Sequence, residues 1–344
     1  MGCKIQDLLE SETISLEDLK DKKLAIDSYN MLYQFLTTIR QKDGTPLMDS
    51  QGRITSHLQG LFARTTKFMK GGLKLVFVFD GKPPELKKEE LEKRKKLKIE
   101  AQKLFKEAVE REDVDAMQKY GGRFSYLSEE MIEESKRLIS ALGCPIINAP
   151  SEAEAQASYL VKNGDCYAVV SQDADAFLFG SERTIKNLSI EGKRKKAGTL
   201  GTIKVEPEIT FLEKNLKTLD INQEQLIVLG ILVGTDFNTG GVKGIGSKKG
   251  LKLVKDYKDK YDELFKDLFK TYEWTFPYDW KVVCDVIKNM PIEKKYKLEW
   301  KEVNEDEIIK LLCDEHGFSK ERIEKSLDDL SQKPKNQKGL GEWF

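Results

Sequence analysis

Three short apolar runs in this chain each lead into aspartate. Leu24-Ala25-Ile26 runs into Asp27, and residues 73–79 (LKLVFVF) run into Asp80. Tyr167-Ala168-Val169-Val170 runs into Ser171-Gln172-Asp173-Ala174-Asp175. Short runs rich in Val, Ile and Phe read as buried strands. Segments with helical patterning separate them, at about residues 31–40, 54–70, 128–142 and 153–163. Strands alternating with helices predict an α/β fold: a central parallel-rich sheet with helices on both faces. Ligands of such sheets bind beyond the carboxyl ends of the strands. The strand-end aspartates are therefore expected to converge on one edge.

Other stretches break this rhythm. Residues 86–116 are rich in charge and poor in large apolar side chains. Between Lys87 and Glu100 there are seven basic and four acidic residues. By itself this reads as a solvated helix with i,i+4 pairs. Gly121-Gly122 separates it from the next helix. Residues 223–233 (QEQLIVLGILV) are apolar on most sides and predict a buried helix. A glycine-rich turn follows, then a basic stretch with seven lysines and two aspartates from Lys243 to Lys260. From Ser331 the chain is polar until Leu340-Gly341-Glu342-Trp343-Phe344.

Composition narrows the chemistry. At 344 residues, 39% hydrophobic and 34% charged, the chain suits about two globular domains. No apolar run approaches the ~20 residues needed to span a bilayer. The N-terminus carries neither a signal-peptide nor a myristoylation pattern. The five cysteines are widely spaced with no C-x-x-C pair. They predict reduced thiols, without a zinc site or a disulfide framework. The chain has only two histidines, His57 and His316, so His-based catalysis is disfavoured. The 58 basic and 58 acidic residues balance. Contact with nucleic acid must then come from local patches.

Candidate chemistry centres on acids. Pro150-Ser151-Glu152-Ala153-Glu154-Ala155 opens a helix, and Ser151 with Glu154 fits a capping box. Capping alone would explain these acids. Glu152/Glu154 and Asp173/Asp175 nevertheless share a spacing of two, at which both members of a pair can face one ion. Carboxylates gathered on one edge raise each other's pKa unless cations neutralise them. Oxygen-only donors favour Mg²⁺ or Mn²⁺ over zinc. Two such ions ~4 Å apart can activate water and stabilise the leaving oxygen of a phosphodiester.

Five motifs in order resemble the flap structure-specific endonucleases of the XPG/RAD nuclease family, in their archaeal form. They are Ala25-Ile26-Asp27-Ser28 with Tyr33-Gln34-Phe35-Leu36; Val78-Phe79-Asp80-Gly81-Lys82-Pro83-Pro84; Ala149-Pro150-Ser151-Glu152-Ala153-Glu154-Ala155; Ser171-Gln172-Asp173-Ala174-Asp175; and Gly234-Thr235-Asp236 followed by Gly244-Ile245-Gly246. The likeness runs nearly end to end. It implies a PIN-like 5′-nuclease fold with a helical arch and a helix–two-turn–helix region. It also implies five segments: an N-terminal nuclease region (1–98), an arch continuation (99–126), an internal nuclease region (127–258), a C-terminal helical region (259–330) and a flexible tail (331–344).

The resemblance implies two metal sites. Asp27, Asp80, Glu152 and Glu154 would hold one ion, with Glu154 shared. Asp173, Asp175 and Asp236 would hold the other. Lys87 and Arg94, seven apart on one face of the arch helix, would grip the scissile phosphate. Tyr33 would stack a base, although core packing on an amphipathic helix also accounts for it. Gly2 and Arg40 would lie near the DNA. Gly244, Gly246, Lys248 and Lys249 would meet duplex phosphates, and the Val242 and Ile245 carbonyls a K⁺ ion. Gln337, Leu340, Trp343 and Phe344 match a sliding-clamp (PCNA) binding pattern. Cys3 departs from the small aliphatic residue usual in the family.

The activity so implied is Mg²⁺-dependent cleavage of 5′-flap DNA, with 5′–3′ exonuclease action, in Okazaki-fragment maturation and long-patch base excision repair. The implied setting is a monomer in archaeal cytoplasm at the nucleoid, with no membrane partner. Rivals are a related 5′-nuclease with another substrate shape, a D-x-D phosphatase or sugar transferase, and a non-catalytic clamp-bound scaffold.

Overall fold

The computed structural model describes residues 3–190, 192–195, 202–274 and 276–331. Gly2, Gln337, Leu340, Trp343 and Phe344 lie outside the described residues. Along the chain come β1 (Glu12–Thr13), β2 (Lys23–Asp27), α1 (Ser28–Thr38), α2 (Ser56–Lys70) and β3 (Lys74–Phe79). The long helix α3 (Lys88–Glu110) and α4 (Val114–Gly121) follow, then α5 (Glu129–Ala141), β4 (Ile146–Asn148), α6 (Ala153–Lys162), β5 (Ala168–Val170) and α7 (Asp175–Leu178). Next are β6 (Arg183–Lys186), β7 (Gly192–Lys195), β8 (Thr202–Val205), β9 (Glu208–Phe211), α8 (Leu212–Leu219) and α9 (Gln223–Val233). The chain continues with α10 (Ser247–Tyr257), α11 (Tyr261–Thr271), α12 (Trp280–Lys288), α13 (Glu305–Ile309) and α14 (Lys320–Ser331).

Seven strands form one sheet in the order β1-β9-β6-β5-β2-β3-β4, and β7 pairs with β8 separately. The five strands from β6 to β4 are parallel, and β9 and β1 add antiparallel pairings at one side. The sheet is thus mixed and parallel-rich, as the alternation of elements predicted. The three strands read from the sequence are its centre. The outer strands carry too little apolar patterning to be read alone.

Period-two alternation sorts the central side chains between two layers. Leu24, Ile26, Leu75, Phe77, Phe79 and Val170 join Leu32, Phe35, Leu61, Phe68 and Leu138 from α1, α2 and α5. Ala25, Val76, Val78 and Val169 meet Ala153, Ala157, Leu160 and Val161 of α6 on the other face. Burial on both sides explains why these strands read as unbroken apolar runs.

A second core surrounds α9, whose residues 226–233 are all buried. Asn222 and Gln225 cap it reciprocally, each side chain accepting a backbone N–H at 2.9 Å. Phe177, Val254, Phe265 and Val283 from α7, α10, α11 and α12 pack around it, with Cys3 and Ile5 from the start of the chain. The arch helix α3 buries only Glu90, Ala101, Phe105 and Ala108. It is continuous through residues 98 and 99. All five cysteines are free thiols. Among the described residues no helix is long and apolar enough to cross a membrane.

Two of the sequence motifs prove to be two sides of one junction. Gly81 donates to the Ser151 carbonyl at 2.7 Å and Lys82 to the Pro150 carbonyl at 3.2 Å. A Cβ on Gly81 would lie 2.1 Å from the Ala149 carbonyl oxygen, far closer than van der Waals contact allows. Gly81→Ala should therefore destabilise the fold by about 2 kcal/mol through overpacking. Urea unfolding checks this, and an unchanged midpoint would refute the close-approach argument.

Candidate active site

The parallel register brings the strand ends together. Ile26 pairs with Phe77 on one side and Val170 on the other, so the residues that follow leave the sheet on one edge. Asp27 ends β2 and caps α1, accepting the Asn30 N–H at 3.0 Å. This cap starts α1 at Ser28, three residues before the patterning suggested. Asp80 follows β3 and accepts the Ala153 N–H at 2.7 Å.

That last contact corrects the expected capping box. Glu152 is the N-cap of α6 but makes no side-chain cap bond. The Ser151 hydroxyl donates to the Lys82 carbonyl at 3.1 Å, and Glu154 accepts from the Ser171 hydroxyl at 2.7 Å. The helix N-terminus is satisfied by Asp80 from a neighbouring strand, so its local acids turn into the site.

Asp173 accepts from the Asn30 side-chain amide at 3.1 Å. Asp175 opens α7 and accepts the Cys3 N–H at 2.6 Å, which ties the start of the described chain to the site. Asp236 sits in the turn after α9. Gly234 has φ +107°, and Asn238 accepts the Thr235 N–H at 3.1 Å and donates to the Ile231 carbonyl at 2.7 Å. The structure thus brings the seven sequence-identified acids into one neighbourhood. Asp27, Glu152 and Asp175 are buried and the others half-buried.

Their mutual repulsion is legible in their protonation. Burial, then the Glu152 charge, pushes Asp80 up to about 6. Burial, then Asp236, pushes Asp175 up to about 7. Burial followed by Asp80 raises Asp27, and burial followed by Asp175 raises Glu154. The basic pair of the arch answers this field. The Lys87 ammonium donates to Glu152 and lies 3.3 Å from Asp236. Arg94 donates to Asp236 at 2.7 Å and to Glu90 at 2.7 Å. Burial alone would lower Lys87, but Glu152 and Asp236 reverse that and raise it.

Among the described residues no three acid side chains stand as a preformed ligand set. Each is engaged by its own protein donor: an N–H, an amide, a hydroxyl or an arch cation. The donor atoms available to a cation are carboxylate oxygens. His57 and His316 lie elsewhere, bonded to Glu134, with His316 also against Asp49. An oxygen-only, strongly anionic set fits a hard divalent cation.

The remaining sequence-identified residues divide. Tyr33 is half-buried beneath the arch, with the Lys98 ammonium 4.5 Å from its ring centroid. Arg40 is engaged inside the protein, donating to the Gly44 carbonyl at 2.8 Å and to the Ser125 hydroxyl. Val242 and Ile245 are buried, and the Val242 carbonyl accepts the Ile245 N–H at 3.0 Å. Gly244 has φ +86° and Gly246 caps α10. Lys248 and Lys249 are exposed on the first turn, Lys249 over the Tyr272 ring. Sequence reasoning missed Asn30, Glu90, Ser171 and Thr239 as partners of the acids and arch cations. Their only local signal is the i,i+4 spacing of Glu90 and Arg94.

A parallel sheet with oxygen-only acids on its carboxyl edge, closed over by basic residues of an arch, defines a nuclease that hydrolyses phosphodiesters. The chain matches the XPG N-terminal domain over residues 3–101 and the XPG I-region over residues 143–236. It is 48% identical to Flap endonuclease 1 of Pyrococcus abyssi over all of this chain and 98% of that protein. The solved flap endonuclease-1 from Methanococcus jannaschii is 39% identical, with a TM-score of 0.73 over 96% of this chain and 98% of the other. The catalytic core of Rad2 in complex with DNA substrate shares the fold at 24% identity, with a TM-score of 0.69 over 96% of this chain and 100% of that one. This chain belongs to the flap endonuclease 1 family of metal-dependent nucleases. It is a structure-specific flap endonuclease, a hydrolase that acts on the phosphodiester bonds of DNA.

The raised carboxyls make stability depend on pH in an unusual direction. Asp175 holds its proton up to about pH 7 when folded but releases it in the ordinary carboxylate range when unfolded. Between those values the folded state binds the extra proton, so stability falls as pH rises. The loss is about 1.4 kcal/mol per pH unit for each carboxyl that holds the extra proton. Carboxyls with lowered pKa, such as Asp49 at about 2, titrate below this window. Chelator-treated protein should therefore unfold at lower urea at pH 8 than at pH 5.5, and Asp175→Asn should flatten the slope. Stability rising with pH would contradict the buried-acid field.

Proposed function

We propose that the chain cuts 5′-flap DNA at the junction to leave a 5′-phosphate and a 3′-hydroxyl, with 5′–3′ exonuclease action on related ends. The observation that carries this reading is the placement of Lys87 and Arg94 directly against the acidic strand edge. In our reading Asp27, Asp80, Glu152 and Glu154 hold one divalent cation, and Asp173, Asp175 and Asp236 a second, with Glu154 reaching both. Mg²⁺, with Mn²⁺ as a substitute, supplies an activated water and neutralises charge at the phosphodiester when bound.

The protein's own groups do the rest. The scissile phosphate exchanges places with the carboxylates now paired to Lys87 and Arg94, which then stabilise the charge that develops on its oxygens. Tyr33 offers a ring face for a base at the cleavage point, worth roughly 1–3 kcal/mol. Gly244, Gly246 and the α10 N-terminus approach duplex phosphates, with Lys248 and Lys249 beside them. The Val242 and Ile245 carbonyls are the proposed K⁺ ligands there. Gly2, outside the described residues, would meet the substrate as the family resemblance implies, whereas Arg40 is already engaged by Gly44 and Ser125.

The proposed cellular roles are Okazaki-fragment maturation and long-patch base excision repair, by a monomer at cytoplasmic DNA. Residues 337–344 carry the sliding-clamp pattern, whose Leu340, Trp343 and Phe344 would anchor in a clamp groove.

Cleavage of an end-labelled double-flap DNA tests the reaction. Wild type in Mg²⁺ should give one cut at the junction, lost in chelator and in Asp175→Ala. Intact DNA, or equal cutting by the variant, would overturn the assignment. A second measurement addresses the tail: deleting residues 337–344 should remove stimulation by the clamp and spare unstimulated cutting. Equal loss of both would make the tail structural.

A further inference from the structure

Glu90 stands out on the arch. The arch helix α3 is solvated along most of its length, yet Glu90 is only 5% exposed. Burying a carboxylate is costly unless it is paired and hydrogen-bonded. Glu90 is paired twice. One oxygen accepts from Arg94 Nε at 2.7 Å, and the other accepts from the Thr239 hydroxyl at 2.9 Å. Arg94 Nη2 donates in turn to Asp236 at 2.7 Å. Asp236 and Thr239 are three residues apart in the turn that follows α9, and Glu90 and Arg94 are one helical turn apart on α3. The four side chains therefore close a ring between the arch and the turn that carries an active-site acid.

This ring does something that an ordinary i,i+4 pair does not. A solvent-exposed Glu–Arg pair on one helix leaves the guanidinium free to swing. Here Nε and Nη2 are held by two different carboxylates on two different elements. Two fixed points set both the position and the rotation of a planar guanidinium. Glu90 is itself immobilised by Thr239, so the orientation of Arg94 is referred to the turn and not to the helix alone.

We propose that Glu90, anchored by Thr239, is the positioning residue that aims Arg94 into the active site. It acts through Arg94 and does not itself touch DNA. The inference rests on the reading of Arg94 as a phosphate-binding group. A guanidinium displaced by about 1 Å can lose on the order of 100-fold in rate. Thr239 contributes by fixing the carboxylate, so its hydroxyl should matter less than Glu90 but in the same direction.

Single-turnover cleavage of 5′-flap DNA in Mg²⁺ tests this, with full-length Glu90→Ala, Glu90→Gln, Thr239→Val, Arg94→Ala and the double variant Glu90→Ala/Arg94→Ala. Glu90→Ala should slow cutting by roughly 10- to 100-fold while flap DNA binding, measured with Ca²⁺ in place of Mg²⁺, stays within about twofold. Glu90→Gln, which keeps an acceptor for Arg94, and Thr239→Val should fall between it and wild type. The deciding comparison is the cycle: in the Arg94→Ala background, loss of Glu90 should cost less than about threefold, because residues acting as one unit are not additive. An equal cost of Glu90→Ala in both backgrounds would make Glu90 a general structural residue and overturn the proposal. So would wild-type cutting by both Glu90→Ala and Glu90→Gln. If Glu90→Ala fails to fold, Glu90→Gln and Thr239→Val carry the same cycle against Arg94→Ala. Wild-type cutting by Arg94→Ala would instead remove the phosphate role of Arg94, a separate failure from that of the positioning residue.

Discussion

Repulsion among carboxylates crowded onto one strand edge is the constraint on which the rest of this structure depends. Asp27, Asp80, Glu154 and Asp175 all hold their protons more tightly than ordinary carboxyls, because burial and neighbouring acids disfavour the charged form. Such a cluster survives only if positive groups reach it. The fold supplies them from several directions: backbone N–H groups at Asn30, Ala153 and Cys3, and the cations Lys87 and Arg94 from the arch. Each donor belongs to an element whose position is set by packing. The hydrophobic layers are therefore what makes the acid cluster affordable.

Seen this way, the arch is more than a charged helix over a sheet. Its foot is pinned by Lys87 between Glu152 and Asp236 and by the ring of Glu90, Arg94, Asp236 and Thr239. Its far end packs separately, through Phe105, Ala108 and Met117. In the function proposed above, substrate phosphate and divalent cation would both address the groups that hold the foot in place. On that proposal, binding at the site and the seating of the arch would be linked through the same few ion pairs.

Much of this was legible in the chain. Period-two burial on both sheet faces makes central strands read as apolar runs, and parallel pairing forces Asp27, Asp80 and the 171–175 segment to one edge. The all-round apolar character of α9 marked it as buried. Spacing alone singled out Glu152 and Glu154, and the family resemblance added Asp236, Lys87 and Arg94. The Ser151/Glu154 box was misread for a physical reason. A local cap competes with any partner the fold brings, and Asp80 from β3 takes the first N–H of α6. Glu90 and Thr239 were invisible, since a glutamate in a run of seven bases and four acids looks solvated.

What the sequence by itself determined is what depends on neighbours a few residues away: strand and helix type, the acids that close each strand, and the reversal at Gly234. These follow from side-chain periodicity and backbone sterics, which act over one turn or one pleat. Only the tertiary structure decided which donor meets which carboxylate. Asp80 with Ala153, Asp175 with Cys3 and Arg94 with Asp236 are separated by 73, 172 and 142 residues. Contacts at that range are set by how the layers pack, and no local pattern along the chain encodes them.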